Sequence, residues 1–96
     1  MVEFAGFKCE VQVEKYYSGN KAIKLIDQED GIPVATATVN VEGLTSDEVA
    51  IKDYSENKGM YDALLNAGVI TPQHKELSTG FVTIPVCFLT PDYYID

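Results

Sequence analysis

The sequence predicts an α+β protein with a curved, mostly antiparallel sheet of about five strands and one helix packed on it. Three β-type segments separated by turn signals fill residues 4–41, one central segment has helix start and stop signals, and an apolar strand pattern follows near the end. A chain of 96 residues suffices for one hydrophobic core, so we expect a single domain over residues 1–96.

The first forty residues predict an antiparallel meander. Residues 4–17 alternate between apolar and polar side chains with the period of two typical of a half-buried strand. The turn signal at 18–20 separates this segment from the β-type segment 21–27, so the two strands should form a hairpin. After a second turn signal at 29–31, the β-branched residues of 34–41 predict one third strand.

One helix is predicted after a short strand over residues 49–52. Ser55 is its expected N-cap, and Gly68 stands where a left-handed residue ends many helices. Gly59 is then expected inside the helix, at a cost of about 1 kcal/mol relative to alanine.

The C-terminal third predicts a polar loop and a strand. The loop covers residues 71–80, and the strand covers 81–89 with apolar side chains on both faces. Pro85 has no N–H for a ladder, so the strand should be at an edge there or carry a bulge. The tail 90–96 is interpreted as a strand end packed on the body, and the alternative is a docking segment.

Charge excludes several classes of function. Fifteen carboxylates, seven lysines and no arginine give a formal net charge of -8, which argues against direct nucleic-acid binding and against adsorption to a membrane. We find no signal-peptide pattern at the start and no apolar run long enough for a membrane span, so we expect a cytoplasmic protein.

The two cysteines predict no redox or metal motif. Cys9 and Cys87 are far apart and lie in strand-like segments, so we interpret them as buried, reduced side chains. The alternative, a disulfide between them, requires that the first and last strands be neighbours.

The residue inventory favours a protein that is not an enzyme. His74 is the only histidine and lies in the polar loop, where we interpret it as exposed, and a dyad of His74 with Cys87 has no supporting motif. The acidic segment 27–31 does not match the spacing of a calcium loop. We therefore assign no catalytic residue, no metal ligand and no cofactor.

Acidic side chains are the candidate partner-binding residues. They occur at the turn after the second β-type segment and on the approach to the helix, where one tyrosine accompanies them. The set is Asp27, Glu29, Asp30, Glu42, Asp47, Glu48, Asp53, Tyr54 and Glu56. Gathered on one side, they would steer the protein onto a basic protein surface, including one that normally holds nucleic acid. Scattered, they would serve solubility alone.

Four segments also resemble a known family. They are 17–23, 33–40, VAIKDYSENKGM at 49–60 with its continuation to residue 70, and TGFVTIPVC at 79–87. Together they resemble small domains of unknown function carried on conjugative elements, plasmids and phages of Gram-positive gut bacteria. The resemblance covers most of the chain and implies no catalytic residues. It implies a mobile-element setting, in which small acidic proteins often act against host restriction or CRISPR systems.

These observations favour a non-enzymatic acidic interaction module of a bacterial mobile element. Its expected partner is a basic protein, and inhibition of a host nucleic-acid-handling defence protein is the sharpest version. One alternative is a small-ligand binder or enzyme with a pocket near Tyr54, Met60, Tyr61 and Cys87. Another is a structural or dimerisation module that uses an open edge at Pro85 or the tail. The chain itself is expected to be a monomer or a small homo-oligomer.

Overall fold

The computed structural model describes residues 1–94 and contains two four-stranded antiparallel sheets with one short helix. Sheet 1 has the order β1-β2-β3-β4, and sheet 2 has the order β5-β6-β8-β7. The strands are β1 Val2–Phe4, β2 Phe7–Lys15, β3 Lys21–Asp27, β4 Pro33–Thr36, β5 Thr38–Val39, β6 Glu48–Ile51, β7 Lys75–Ser78 and β8 Thr83–Phe88. The helix α1 covers Met60–Asn66. The α+β class is confirmed, but the prediction of one five-stranded sheet is wrong.

Ala37 is the residue at which the predicted third strand divides between the sheets. Its N–H donates to Ile23 O in sheet 1 at 2.8 Å, and its C=O accepts from the N–H of Lys52, just past β6, at 2.8 Å. The segment therefore pairs with β3 through β4 and with β6 through β5. Because the β-branched pattern continues through this switch, the sequence showed one strand where the structure has two.

The first predicted strand also contains a break, a two-residue turn between β1 and β2. Ala5 and Gly6 both adopt left-handed backbone conformations, with φ of 52° and 84°. Phe4 pairs with Phe7 across this turn, so even-numbered residues of β1 lie on the same face as odd-numbered residues of β2. The alternation predicted over residues 4–17 therefore shifts by one residue at the turn, whereas the hairpin of β2 and β3 is confirmed.

The core lies between the two sheets and is closed on one side by α1, which packs against β1. It contains Val2, Cys9, Ile23, Leu25, Ala37, Val49, Ile51, Met60, Leu64, Val69, Ile70, Cys87 and Leu89. Both cysteines are free and buried, which confirms their interpretation. They belong to strands of different sheets, β2 and β8.

The segment before α1 differs from the prediction. Residues Ser55–Asn57 form a short 3-10 turn, and Ser55 has a positive φ of 55° instead of capping the helix. Gly59 is not inside the helix but immediately before it, with a left-handed φ of 95° that glycine adopts without strain. The chain thus reverses at Gly59, and the α-helix is shorter than the pattern suggested.

The end of α1 agrees with the prediction. The N–H of Gly68 donates to Leu65 O at 3.1 Å, and the N–H of Val69 donates to Leu64 O at 3.0 Å. This pair of bonds satisfies carbonyls that the helix leaves free, and buried Val69 supplies the apolar contact that accompanies such an ending.

The predicted polar loop contains the edge strand β7, which pairs with β8. On the other side of β8, the ladder to β6 stops at the pair Ala50–Val86, next to Pro85, which has no N–H to continue it. The unpaired position that Pro85 predicted is therefore confined to the β6 side of β8, next to Pro85 itself. In the tail, Pro91–Tyr93 form a 3-10 turn, and residues 95 and 96 lie outside the described residues. Within residues 1–94, no helix combines the length and the apolar character needed to cross a membrane.

Candidate functional site

Glu48, one of the candidate residues, is buried at the start of β6 with an exposed fraction of 4%. Its carboxylate accepts a hydrogen bond from the N–H of Thr45 at 2.9 Å and is bonded to His74 Nε2, while Lys75 Nζ lies 3.3 Å away. These contacts, first the Thr45 N–H and then His74, lower the pKa of Glu48 to about 2. Glu48 is therefore an internal anion with its own donors, and it does not belong to an exposed acidic surface.

His74 directly precedes β7 and Lys75 begins it, so the two basic partners of Glu48 are neighbours in the sequence. His74 N–H donates to Val86 O at 3.0 Å, and Lys75 is the residue paired with Val86. The ring of His74 also stacks on Phe88, with centroids 4.2 Å apart and planes 13° apart. His74 is exposed, as predicted, but its ring contacts both Glu48 and Phe88.

Asp53, Tyr54 and Glu56 are occupied close to α1. Asp53 Oδ1 accepts hydrogen bonds from the N–H groups of Gly59 and Tyr61, both at 3.0 Å, and so takes the capping role expected of Ser55. Glu56 forms an ion pair with Lys52, whose Nζ also lies 5.7 Å from the centre of the Tyr54 ring. The hydrogen bond with Lys52 lowers the pKa of Glu56. All three side chains therefore make contacts within the protein, close to α1.

Glu42 and Asp47 lie in the connection between β5 and β6. This connection is tied to the β2–β3 hairpin, since Asn20 Nδ2 donates to Val41 O at 2.8 Å. The other acidic group, at 27–30, is at the opposite end of β3. Seven residues of strand separate the two ends, a span of about 20 Å. The structure therefore does not gather the nine candidates into one patch.

The turns at that opposite end form what we call the strand-end surface, comprising Phe7, Asp27, Glu29, Asp30, Ile32 and Pro33. Gln28 N–H donates to Lys8 O at 3.0 Å, which holds the β3–β4 turn against the start of β2. Phe7 and Ile32 have exposed fractions of 45% and 60%. Among residues 1–94, no lysine lies within ion-pair distance of the three carboxylates.

Several clefts meet at Phe7. Its side chain borders one of about 280 Å³ beside the β1–β2 turn, one of about 400 Å³ that reaches Asp27 and Glu29, and one of about 330 Å³ that reaches Ile32. A fourth, of about 450 Å³, continues past Lys8 to α1. The strand-end surface is thus concave, with an exposed aromatic side chain at its centre.

The sequence identified the acidic residues of this surface but not the apolar ones. The alternation of residues 4–17 predicts that Phe7 lies on the apolar face of the first strand, but its side chain is exposed. Ile32 follows the turn glycine Gly31 directly and precedes Pro33. An apolar residue between two turn formers was a signal that could have suggested exposure.

The alternative pocket beside the helix does not form from its four predicted residues. Met60 and Cys87 are fully buried in the core, and Tyr61 uses its hydroxyl to accept a hydrogen bond from Gln73 N–H at 2.9 Å. Tyr54 is next to Lys52, as described above. Most of the clefts instead border β1, β2, the C-terminal part of α1 and the β3–β4 turn, and one of about 480 Å³ lies between the β2–β3 turn and the β5–β6 connection.

Within residues 1–94, no group of three or more histidine, cysteine, aspartate or glutamate side chains has an arrangement that could hold a metal ion. No protein-family model, no curated protein and no solved structure matches this chain. The resemblance to mobile-element domains therefore stays a prediction.

Proposed function

We propose that this protein is a non-enzymatic interaction module that binds a basic partner protein through the strand-end surface. The observation that carries the proposal is the exposed side chain of Phe7, shared by three clefts and bordered by carboxylates that form no ion pair within residues 1–94. Aromatic side chains at the centre and charged ones at the rim are typical of protein interfaces.

The charge of the surface favours a cationic partner. Asp27, Glu29 and Asp30 stand together at one turn of a protein whose net charge is -8. Such a field increases the rate of association with a basic surface and disfavours acidic ones. The carboxylates at the other end of β3 add to the long-range field without contacting the same partner face.

The sharpest form of the proposal is inhibition of a host nucleic-acid-handling defence protein in the cytoplasm. Its support is the family resemblance, which suggests a mobile-element setting, together with the acidic character of the surface. A restriction or CRISPR protein has a basic groove for nucleic acid, and an acidic protein seated there would exclude that nucleic acid. Competition is then the expected mode of inhibition.

A matched pair of variants tests the proposal. The site variant Asp27→Asn/Glu29→Gln/Asp30→Asn removes three charges and keeps acceptors for the turn. The control variant Glu10→Gln/Glu42→Gln/Asp92→Asn removes three charges from exposed positions elsewhere. A photo-crosslinking residue at position 32 would be introduced into each protein in a bacterial host of the element.

With wild type and with the control variant, we expect one dominant cross-linked protein, and this protein should carry a basic surface. With the site variant, the yield of the cross-linked product should be at least tenfold lower. Purified, that partner should lose nucleic-acid binding as wild-type protein is added, which a gel-shift titration measures. Equal yields from both variants would contradict the proposed surface. A captured partner that retains its nucleic acid would contradict the inhibitory form alone.

A further inference from the structure

We infer that the cleft between Phe7 and Ile32 accepts an arginine side chain from an apolar segment of the partner. This inference rests on the proposed function and specifies how the strand-end surface recognises its partner. We call the cleft the arginine groove. Its volume is about 330 Å³, and its lining is Phe7, Asp27, Asp30, Ile32, Pro33 and Val34.

The walls of the groove match the two parts of an arginine side chain. Phe7 offers an aromatic face on which a planar guanidinium can stack, while Ile32 and Pro33 offer apolar surface to its methylene groups. Asp27 and Asp30 supply carboxylates in the same cleft, and carboxylates bind guanidinium with paired hydrogen bonds. Lysine would gain the charge interaction but neither the stacking nor the paired geometry.

Both carboxylates are already oriented by the turn. Asp27 Oδ1 accepts a hydrogen bond from Glu29 N–H, and Asp30 Oδ1 accepts one from Ile32 N–H, each at 3.0 Å. No hydrogen bond from residues 1–94 reaches Oδ2 of either side chain. A partner can therefore bind oxygens whose positions are fixed beforehand, which lowers the entropic cost of binding.

Nothing in the chain itself competes as an arginine donor, because its seven basic residues are all lysines. Lys8 is near the surface but borders the neighbouring clefts, not the arginine groove. A second copy of this protein would likewise bring no guanidinium. Charge complementarity thus points to a different protein as the occupant.

The test uses the full chain and three acetylated, amidated peptides of sequence Leu-X-Leu, in which X is arginine, lysine or the uncharged isostere citrulline. Amide NMR titrations would give the dissociation constants and locate the contact. We expect the arginine peptide to shift signals in residues 27–34 and to bind at least fivefold more tightly than the lysine peptide and tenfold more tightly than the citrulline peptide.

Variants separate the contributions of charge and stacking. Asp27→Asn/Asp30→Asn should weaken binding of the arginine peptide at least tenfold. Phe7→Leu should reduce the preference for the arginine peptide over the lysine peptide. Glu42→Gln/Asp92→Asn removes the same charge elsewhere and should change binding less than twofold. The unchanged spectra of residues outside the surface would verify that each variant is folded.

Other outcomes overturn the inference. Equal binding of the three peptides would mean that the groove recognises leucine, and equal losses in both charge variants would mean that only net charge acts. Concentration-dependent shifts of residues 27–34 without peptide would identify a second copy as the occupant. If arginine binding fails while cross-linking at position 32 still depends on the acidic turn, the inference fails and the proposed function stands. Arginine binding without any partner cross-link would contradict the proposed function instead.

Discussion

Glu48 stays ionised inside the protein because hydrogen-bond donors surround its carboxylate. The N–H of Thr45 belongs to the connection before β6, whereas His74 and Lys75 come from the start of β7. The cluster therefore joins two strands of sheet 2 that are not neighbours, since β8 lies between them. Burying a carboxylate without such partners would be costly.

The acid stability of the protein should reflect this carboxylate. The pKa of Glu48 in the folded protein is about 2, below its ordinary value of 4.5. The contribution of the Glu48 carboxylate to the free energy of unfolding is thus complete above pH 4.5 and is lost as the pH falls toward 2. Urea unfolding from pH 6 to pH 2 should show that wild type loses about 2 kcal/mol more stability than Glu48→Gln. Glu42→Gln should follow wild type, and parallel curves for all three proteins would refute this role.

The two thiols should be unreactive in the folded protein. Burial raises the pKa of the Cys87 thiol to about 12, and burial together with nearby Asp27 raises that of Cys9. Since the thiolate is the reactive form, both side chains should resist Ellman's reagent at pH 8 and react fully in denaturant. Fast labelling of the native protein at either position would show that the core opens readily.

Tight turns with left-handed residues define the strand ends of sheet 1. The β1–β2 turn is the one that places Phe7 in the strand-end surface, and it does so with an alanine at φ of 52°. Alanine pays a steric cost in this region that glycine does not, and Asn-Gly is the preferred sequence for a two-residue turn with two positive φ angles. The turn is thus locally strained beside the proposed binding surface.

Relieving this strain should stabilise the protein. We expect Ala5→Asn to raise the free energy of unfolding by about 0.5–1 kcal/mol, measured by urea denaturation at pH 7. Ala35→Gly is the control, because Ala35 lies within β4 and has no positive φ. This variant should lower the free energy of unfolding by about 0.5–1 kcal/mol. Destabilisation by Ala5→Asn would indicate that the alanine methyl has a packing role.

At the scale of the whole molecule, the two sheets depend on a single core. This core draws buried side chains from β2 and β3 of sheet 1 and from β6 and β8 of sheet 2, and Ala37 is bonded to both sheets. Acidic charge, in contrast, is divided between the two ends of β3, and an exposed aromatic side chain lies near each, Phe7 in the strand-end surface and Tyr17 in the β2–β3 turn.

Unfolding should therefore occur in one transition. Thermal melting followed by far-UV circular dichroism, which reports the sheets, should coincide with melting followed by tyrosine fluorescence. Tyr16, bonded through its hydroxyl to Thr38, and Tyr61, bonded to Gln73, sample different parts of the fold. Two separate midpoints would show that the sheets unfold independently.

Local signals in the sequence were sufficient for much of the fold. The hairpin of β2 and β3, the glycine ending of α1 and the burial of both cysteines all follow from periodicity or turn chemistry within a few residues. The candidate site was predicted only in part. Asp27, Glu29 and Asp30 could be grouped from the sequence because they share one turn and so stay together in any fold. The exposure of Phe7 and Ile32 depends on tertiary packing, which the sequence pattern does not show.

The sequence by itself determined the α+β class, the acidic balance and the chemistry of the turns, since these depend on side-chain type and on neighbours along the chain. Only the tertiary structure decided that one predicted strand serves two sheets, that Glu48 is enclosed by residues distant in sequence, and that one acidic group meets an aromatic cleft. The physical reason is that burial and charge pairing depend on which segments pack together, and periodicity along one segment does not show which other segment packs against it.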